Sequence, residues 1–268
     1  MKKTIILIPI FNDWDSLEKL IREIDESIKN INNFKFNCLI VDDASTVDQP
    51  KLIKPKNINS LKILSMKENK GHARCNAFGI RYISKNENFD NVILMDGDGE
   101  DRPIEIKSLI NKINDNPENS VVAQRVKRSE GPFFQFLYSV HKFITYIFTG
   151  KKINFGNYSC LTKNDVKKIS SKGSLWSSYS GTVEKYLSNL SKVDSVRGSR
   201  YFGPSKMSLY KLIIHSFSII AVFKNIVFFR SVLMISSLIA LDIYFGFFSI
   251  FFQLIIAFFC LIIYLISL

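Results

Sequence analysis

The tripeptide Asp96-Gly97-Asp98 combines residue types and a spacing that suit chemistry on phosphates. Hard divalent cations take carboxylate oxygens as ligands, and Mg²⁺ usually binds one or two carboxylates together with substrate phosphates. Gly97 places no side chain between the two acids, so a nucleotide could approach the backbone closely. The tripeptide therefore indicates a site for Mg²⁺ or Mn²⁺, although an acidic surface turn has the same sequence and only the context distinguishes the two.

The elements around these acids predict where they lie. The apolar run Asn91–Met95 that precedes them is short and typical of a buried strand. Open α/β sheets bind ligands at the carboxyl ends of their strands, so polar residues that follow other strands should join the pair. These residues are Asn12-Asp13, Asp42-Asp43 and Gln124-Arg125. Lys70 and Arg74 flank the start of a predicted helix, where phosphate binding is favoured.

Strand and helix patterns alternate through the first half of the chain. The predicted strands are Thr4–Ile10, Phe36–Val41, Leu61–Ser65, Asn91–Met95 and Val121–Ala123. The predicted helices between them are Asp15–Ile31, His72–Ile83 and Pro103–Ile113, and a further aromatic helix covers Phe133–Gly150. This alternation predicts an α/β fold with a Rossmann-like, mostly parallel sheet and helices on both faces.

Three motifs in this order resemble those of the family 2 glycosyltransferases, which have the GT-A fold. They are Pro9-x-Phe11-Asn12-Asp13, Asp42-Asp43-x-Ser45 and Asp96-x-Asp98. The later segment Arg200–Lys206 looks like the Arg-x-x-Gly-x-Ser-Lys segment of the polyprenyl-phosphate branch, which includes dolichol-phosphate mannose synthases and bacterial polyprenyl-phosphate glucosyltransferases. The resemblance covers most of the chain and implies a GT-A catalytic domain.

The resemblance implies a role for each matching position. Asp98 would ligate the metal that bridges the donor diphosphate, with Asp96 and Glu100 as further ligands. The base and ribose would contact Pro9, Phe11, Asp13, Val41 and Asp43, and the nucleotide-sugar site would be lined by Asp96 and Gly97. Donor or acceptor phosphates would meet Arg125, Arg200 and Lys206, which with Asp98 make up the expected catalytic set. The family often has Glu at position 13 and Gln at position 100, so the added carboxylate of Glu100 would change metal preference or affinity.

The C-terminal part of the chain has the composition of a membrane anchor. From Asn225 to Leu268 only Arg230 and Asp242 are charged, and a bilayer span needs roughly 20 mostly apolar residues. Two spans are predicted, at Phe229–Phe247 and Ser249–Ser267, preceded by an amphipathic stretch that suits a helix in the membrane interface. The expected domains are thus the GT-A domain at 1–206, the interfacial helix at 207–225 and a transmembrane hairpin at 226–268. A buried soluble hairpin is the alternative.

The net charge and the number and spacing of the cysteines restrict the classes of binding partner and the cellular location that the sequence predicts. The net charge of +12 is dispersed along the chain, which argues against nucleic acid and favours anionic lipid and phosphate-bearing substrates. The four cysteines and three histidines lack the spacing of a zinc site and fit a reducing compartment. Lysines before the first span, with no cleavable signal, predict an inner-membrane protein whose catalytic domain is cytoplasmic.

These inferences predict an inverting, metal-dependent transferase. It would move one sugar from a UDP- or GDP-sugar to a polyprenyl phosphate at the cytosolic membrane face, and its hairpin could allow self-association. A phosphate acceptor is already ionised at neutral pH and hardly needs a base. Two alternatives remain. A lipid-linked saccharide hydroxyl would need a carboxylate base, for which Asp101 is the candidate; a non-catalytic membrane adaptor would retain only a degenerate nucleotide pocket.

Overall fold

The computed structural model of the chain describes residues 1–127, 132–203, 208–246 and 248–267. Two compact units divide it, Met1–Ser129 with Asn154–Lys206 and Glu130–Ile153 with Met207–Leu268. The predicted Lys206 lies outside the described residues.

A seven-stranded sheet forms the centre of the first unit. Its strands are β1 Lys2–Ile10, β2 Phe34–Asp42, β3 Ile58–Ser65, β4 Asn91–Leu94, β5 Val121–Lys127, β6 Phe155–Thr162 and β7 Ser191–Val196, and their order is β3-β2-β1-β4-β6-β5-β7. All described neighbours pair in parallel except β6, which runs antiparallel to β4 and β5. The predicted α/β class and mostly parallel sheet are therefore confirmed.

Helices cover both faces of this sheet. They are α1 Trp14–Ile28, α2 His72–Asn86, α3 Ile106–Asp115, α5 Lys163–Ser170 and α6 Tyr179–Tyr186. Side chains alternate along β1, so Ile6 and Ile8 join the core beneath α1 and α3. Leu7 points to the other face, where its methyl groups fill the space above Gly79 of α2. The parallel ends of β1, β2 and β4 therefore converge on one edge, as expected.

The second unit contains four described helices, α4 Pro132–Thr149, α7 Leu209–Ala221, α8 Lys224–Phe245 and α9 Ile250–Ile266. Its buried residues include Phe223, Val227 and Ile263, and the rings of Phe148 and Phe259 contact each other with centroids 4.3 Å apart and planes tilted by 41°. Among the described residues one helix, α8, is long and apolar enough to cross a membrane, with 22 residues and a mean hydropathy of 2.0. The predicted second span corresponds to α9, an apolar helix of 17 residues, and it is not confirmed as a span.

Two charged residues of α8 have partners that the sequence did not indicate. The Nη1 of Arg230 donates to the carbonyl oxygen of Ile147 on α4 at 2.9 Å. Asp242 closes the turn between α8 and α9. Its Oδ1 accepts from the backbone N–H of Ser249 at 3.0 Å, and its Oδ2 accepts from the Ser249 hydroxyl and from Gln253 Nε2, both at 2.9 Å. Asp242 thus satisfies the backbone N–H of Ser249, just before α9.

Candidate active site

Three contacts fix Asp96 at the end of β4. Its Oδ1 lies 3.0 Å from His72 Nε2 at the start of α2 and accepts a hydrogen bond from Asn157 Nδ2 on β6 at 3.1 Å. Its backbone N–H donates to Asp101 Oδ2 at 2.9 Å. Asp96 is therefore oriented by residues from two other elements and by its own turn.

Asp98 is bound by a segment that follows β7. Its Oδ1 accepts from the backbone N–H of Glu100 at 3.0 Å, while its Oδ2 lies 2.7 Å from Arg200 Nη1. The other terminal nitrogen of Arg200, Nη2, lies 2.6 Å from Asp13 Oδ2. One guanidinium thus joins the acid after β1 to the acid after β4.

The segment at residues 197–201 packs closely on the turn at residues 96–101, which we call the acidic turn. The backbone N–H of Tyr201 donates to the Asp98 carbonyl at 3.0 Å, and that of Gly198 donates to the Glu100 carbonyl at 2.8 Å. Gly99 has φ +89°, and a Cβ there would lie 2.5 Å from the Tyr201 ring, so both conformation and space require glycine. The Glu100 carboxylate forms an ion pair with Arg197.

Crowded carboxylates shift one another's pKa values. Burial and then repulsion by Asp96 raise the pKa of Asp98 to about 6, and the same two causes raise the pKa of Asp101 to about 7. For Asp96 burial opposes ionisation, but His72, Arg125 and the Asn157 hydrogen bond outweigh it and hold its pKa well below its usual range. Asp96 is therefore ionised at neutral pH. A nearby cation would stabilise the ionised form of Asp98.

The donor set suits a divalent cation that is also held by substrate phosphates. Among the described residues, no group of three or more His, Cys, Asp or Glu side chains is arranged as a complete metal site. Two neighbouring carboxylates, one with a raised pKa, fit Mg²⁺ or Mn²⁺, which take their remaining ligands from phosphates and water. Asp96 and Asp98 would supply these oxygens. Glu100, the predicted third ligand, is paired with Arg197 and would have to leave it to bind metal.

The residues expected to hold the nucleotide divide into two groups. Asp13 is linked to Asp98 through Arg200, and the side chain of Phe11, two residues earlier in the chain, is 38% exposed, so both remain candidates. Val41 is fully buried, and the two oxygens of Asp43 accept from the backbone N–H groups of Lys70 and Gly71, each at 2.8 Å. In this arrangement Asp43 shapes the loop before α2.

Other predicted residues lie around the same edge. Arg125 stands beside Gly156, where an added Cβ would lie 2.8 Å from its guanidinium, and its charge acts on Asp96. Lys70 pairs with Glu68 at 2.5 Å, and Arg74 lies 6.0 Å from the Trp176 ring. Gly97 was expected to open the backbone to the nucleotide. A Cβ there would lie 3.0 Å from the buried Pro9 carbonyl oxygen, so close packing on β1 requires the glycine.

A family model provides the decisive comparison. The model described as "Glycosyl transferase family 2" matches residues 5–175, a range that contains β1, β4 and the acidic turn. The chain belongs to glycosyl transferase family 2. The family predicted from the motifs is therefore confirmed.

This family 2 glycosyltransferase has relatives among curated proteins. It is 25% identical over 169 residues to an undecaprenyl-phosphate 4-deoxy-4-formamido-L-arabinose transferase from Klebsiella pneumoniae (strain 342), a match that covers 61% of this chain and 48% of the relative. The chain thus matches about half the length of that relative.

Solved structures of low sequence identity share its fold. Mannosyl-3-phosphoglycerate synthase from Rubrobacter xylanophilus superposes with a TM-score of 0.59 at 13% identity, covering 82% of this chain and 72% of that one. Glucosyl-3-phosphoglycerate synthase from Mycobacterium tuberculosis, in complex with Mn²⁺, UDP-glucose and phosphoglyceric acid, gives 0.56 at 14% identity and covers 84% and 80%. These likenesses agree with the GT-A fold expected for a family 2 glycosyltransferase.

Sequence reasoning about this glycosyltransferase missed three residues of the site. From the sequence, His72 is placed only at the start of a predicted helix, and no role in the site is assigned to Asn157 or Arg197. The residue types gave little signal, because each acts through a partner distant in sequence: Asn157 is 61 residues from Asp96, and Arg197 is 97 residues from Glu100.

Proposed function

We propose that this protein transfers one sugar from a UDP- or GDP-sugar to a polyprenyl phosphate, with inversion at the anomeric carbon. The main support is the bridge from Arg200 to Asp13 and Asp98. The bridge connects Arg200, in the segment that resembles the polyprenyl-phosphate branch, to the two acids expected to bind the donor nucleotide and its metal. Relatives that act on undecaprenyl phosphate add support.

In the proposed reaction an oxygen of the lipid phosphate attacks the anomeric carbon of the sugar. A new carbon–oxygen bond forms as the bond to the β-phosphate breaks, and the nucleoside diphosphate leaves. Attack opposite the leaving group inverts the anomeric configuration. The lipid phosphate is mostly ionised at neutral pH, since its second pKa is about 6, so no base is required.

The chain's own residues would position and neutralise these anions. Mg²⁺ or Mn²⁺ held by Asp98 and Asp96 would supply Lewis-acid stabilisation of the departing diphosphate. The two terminal nitrogens of Arg200 would leave Asp13 and Asp98 to bind two oxygens of a phosphate, which suit the same guanidinium fork. We assign the lipid phosphate to Arg200, with Lys206 as its second cation and Arg125 on the donor side. Phe11 and Asp13 would contact the nucleotide.

The helical unit would attach the protein to the inner membrane. In this proposal α8 and α9 form the predicted hairpin, and α7 lies in the interface with Tyr210 and Ile213 toward lipid; these side chains are 72% and 45% exposed. The six Lys and Arg of the described part of this unit, against one acid, favour the cytoplasmic side and anionic lipid. The catalytic domain would then be cytoplasmic.

Transfer by the purified full chain tests this function. Radiolabelled UDP- and GDP-sugars are offered with undecaprenyl phosphate in detergent, with Mg²⁺, Mn²⁺ or chelator. We expect label to enter the lipid phase only when metal is present, with one donor preferred. Donor hydrolysis or tight donor binding without transfer would redirect the search to another acceptor. Absence of both would favour a non-catalytic adaptor.

A saccharide hydroxyl is the second candidate acceptor, and one observation favours it. A hydroxyl needs a general base; Asp101, the base considered from the sequence, is 4% exposed and bound to the Asp96 amide. His72 is a better base, because its side chain is 46% exposed and its Nε2 lies on Asp96. Burial acts to lower the pKa of His72, but Asp96 and the neighbouring carboxylates outweigh it and raise the pKa above its usual value.

Replacement of His72 distinguishes the two acceptors. If the acceptor is a phosphate, His72 only orients Asp96, so His72→Ala should raise the donor KM with a loss in kcat of about tenfold or less, and His72→Gln, which keeps an N–H donor, should recover most activity. If the acceptor is a hydroxyl, kcat should fall by about 10²–10⁴-fold in both variants. Steady-state kinetics with varied donor separates these outcomes, with the exposed Lys85→Ala on α2 as the control.

A further inference from the structure

A groove with an apolar wall and two polar groups runs between α8 and α9. Its volume is about 580 Å³, within the ~300–1,000 Å³ range of ligand sites. Phe228, Val232 and Leu261 form much of the wall, while Lys224 and Ser231 stand on the α8 side. We call it the α8–α9 groove. All of its lining residues belong to the helical unit.

Ser231 is the polar group that this groove leaves unsatisfied. The residue is 2% exposed, and its Oγ is buried without a hydrogen-bond partner. A buried hydroxyl without a partner costs free energy, and such a group calls for a ligand or another explanation. By contrast Ser237, on the same helix, donates to the Leu233 carbonyl at 2.9 Å. Ser231 therefore offers a free O–H donor inside an apolar groove.

Lys224 provides a cation on the same side of α8. It precedes Ser231 by seven residues, which is about two helical turns or ~10 Å along the axis. Its Nζ lies 5.8 Å from the Tyr264 ring, and none of the described acids forms an ion pair with it. Asp242, the single acid among the described residues of the unit, is instead bound to Ser249 and Gln253. The Lys224 charge is available to an anion.

We propose that the α8–α9 groove binds one anionic glycerophospholipid. The lipid phosphate would lie at Lys224, an ester carbonyl would accept from the Ser231 hydroxyl, and an acyl chain would cover Phe228, Val232 and Leu261. A polyprenyl phosphate matches the cation and the apolar wall, but it has no oxygen below its phosphate to accept from Ser231. This difference selects a glycerophospholipid. The inference rests on the proposed membrane insertion of α8 and α9, and it does not depend on sugar transfer.

Native mass spectrometry of the purified full chain tests the proposal without donor or acceptor. The probes are phosphatidylglycerol, phosphatidylcholine with the same chains, and the ether analogue of phosphatidylglycerol, which lacks ester carbonyls. We expect wild type to retain one phosphatidylglycerol at least fivefold better than either of the other lipids. Lys224→Gln should remove the preference for phosphatidylglycerol over phosphatidylcholine, and Ser231→Ala should remove the preference for ester over ether.

Two matched controls should keep both preferences. Lys142→Gln removes a lysine that also lies over a tyrosine ring, 5.2 Å from Tyr138, but does not line the groove. Ser237→Ala removes a serine of α8 that already has its partner. Equal retention of ester and ether lipid by wild type would overturn the proposal without any variant. If undecaprenyl phosphate instead displaces phosphatidylglycerol to the same extent from wild type and from Ser231→Ala, that result would also overturn the proposal and would assign the groove to the polyprenyl-phosphate acceptor. A failed transfer assay would leave these lipid results unchanged.

Discussion

Asp98→Asn is expected to lower metal-dependent turnover by on the order of 10²–10³-fold, or about 3–4 kcal/mol of transition-state stabilisation. Asparagine keeps an oxygen that can accept from the Glu100 N–H, which Asp98 binds at 3.0 Å, so the turn should remain folded. It loses the negative charge that would hold a divalent cation and that pairs with Arg200. Initial rates over a range of Mg²⁺ and Mn²⁺ concentrations measure the effect.

The exposed Asp15→Asn, in the first turn of α1, provides the matched control and should retain wild-type rates. Mn²⁺ affinity in the presence of UDP or GDP supplies a readout that does not depend on the acceptor. Full turnover with unchanged metal dependence in Asp98→Asn would remove Asp98 from the metal site.

Arg200→Ala is expected to raise the KM for the lipid phosphate by at least about tenfold, because a lost hydrogen bond to a charged group is typically worth about 1.5–3 kcal/mol. The affinity for the donor in the presence of metal should stay within about threefold of wild type. The change should also lower the free energy of unfolding by about 2 kcal/mol, since Asp13 and Asp98 would lose the cation between them. Acceptor-saturation kinetics and thermal unfolding without substrates measure the two effects separately.

Two further substitutions of arginine sharpen this test. Arg200→Lys keeps the charge but cannot join both carboxylates with one planar group, so it should fall between wild type and Arg200→Ala. Arg22→Ala removes an exposed arginine that pairs only with Glu18 in its own helix, and it should change neither quantity. Unchanged acceptor kinetics in Arg200→Ala would contradict the proposed role, whatever the change in stability.

The features that the sequence determined are local ones. Short continuous apolar runs predicted the parallel strands, because a strand that is buried on both faces of a sheet has apolar side chains on both sides. The position of the acids at the sheet edge was also predicted, because the apolar run of β4 ends directly before them. The apolar length of α8 was likewise evident, although its start at Lys224 lies five residues before the predicted span.

Tertiary structure decided which of these residues meet. Arg200 reaches Asp98 across 102 positions of sequence and Asp13 across 187, and no periodic pattern reports such a pairing. The antiparallel strand β6, which brings Asn157 to Asp96, was not predicted, because Gly, Asn, Ser and Thr interrupt its apolar residues and leave no continuous apolar run. The hydrogen bond from Arg230 to the carbonyl oxygen of Ile147 on α4 likewise joins residues that are 83 positions apart in the sequence. Residue types therefore set the chemistry available to this chain, while long-range packing selected the carboxylates and cations that face one another.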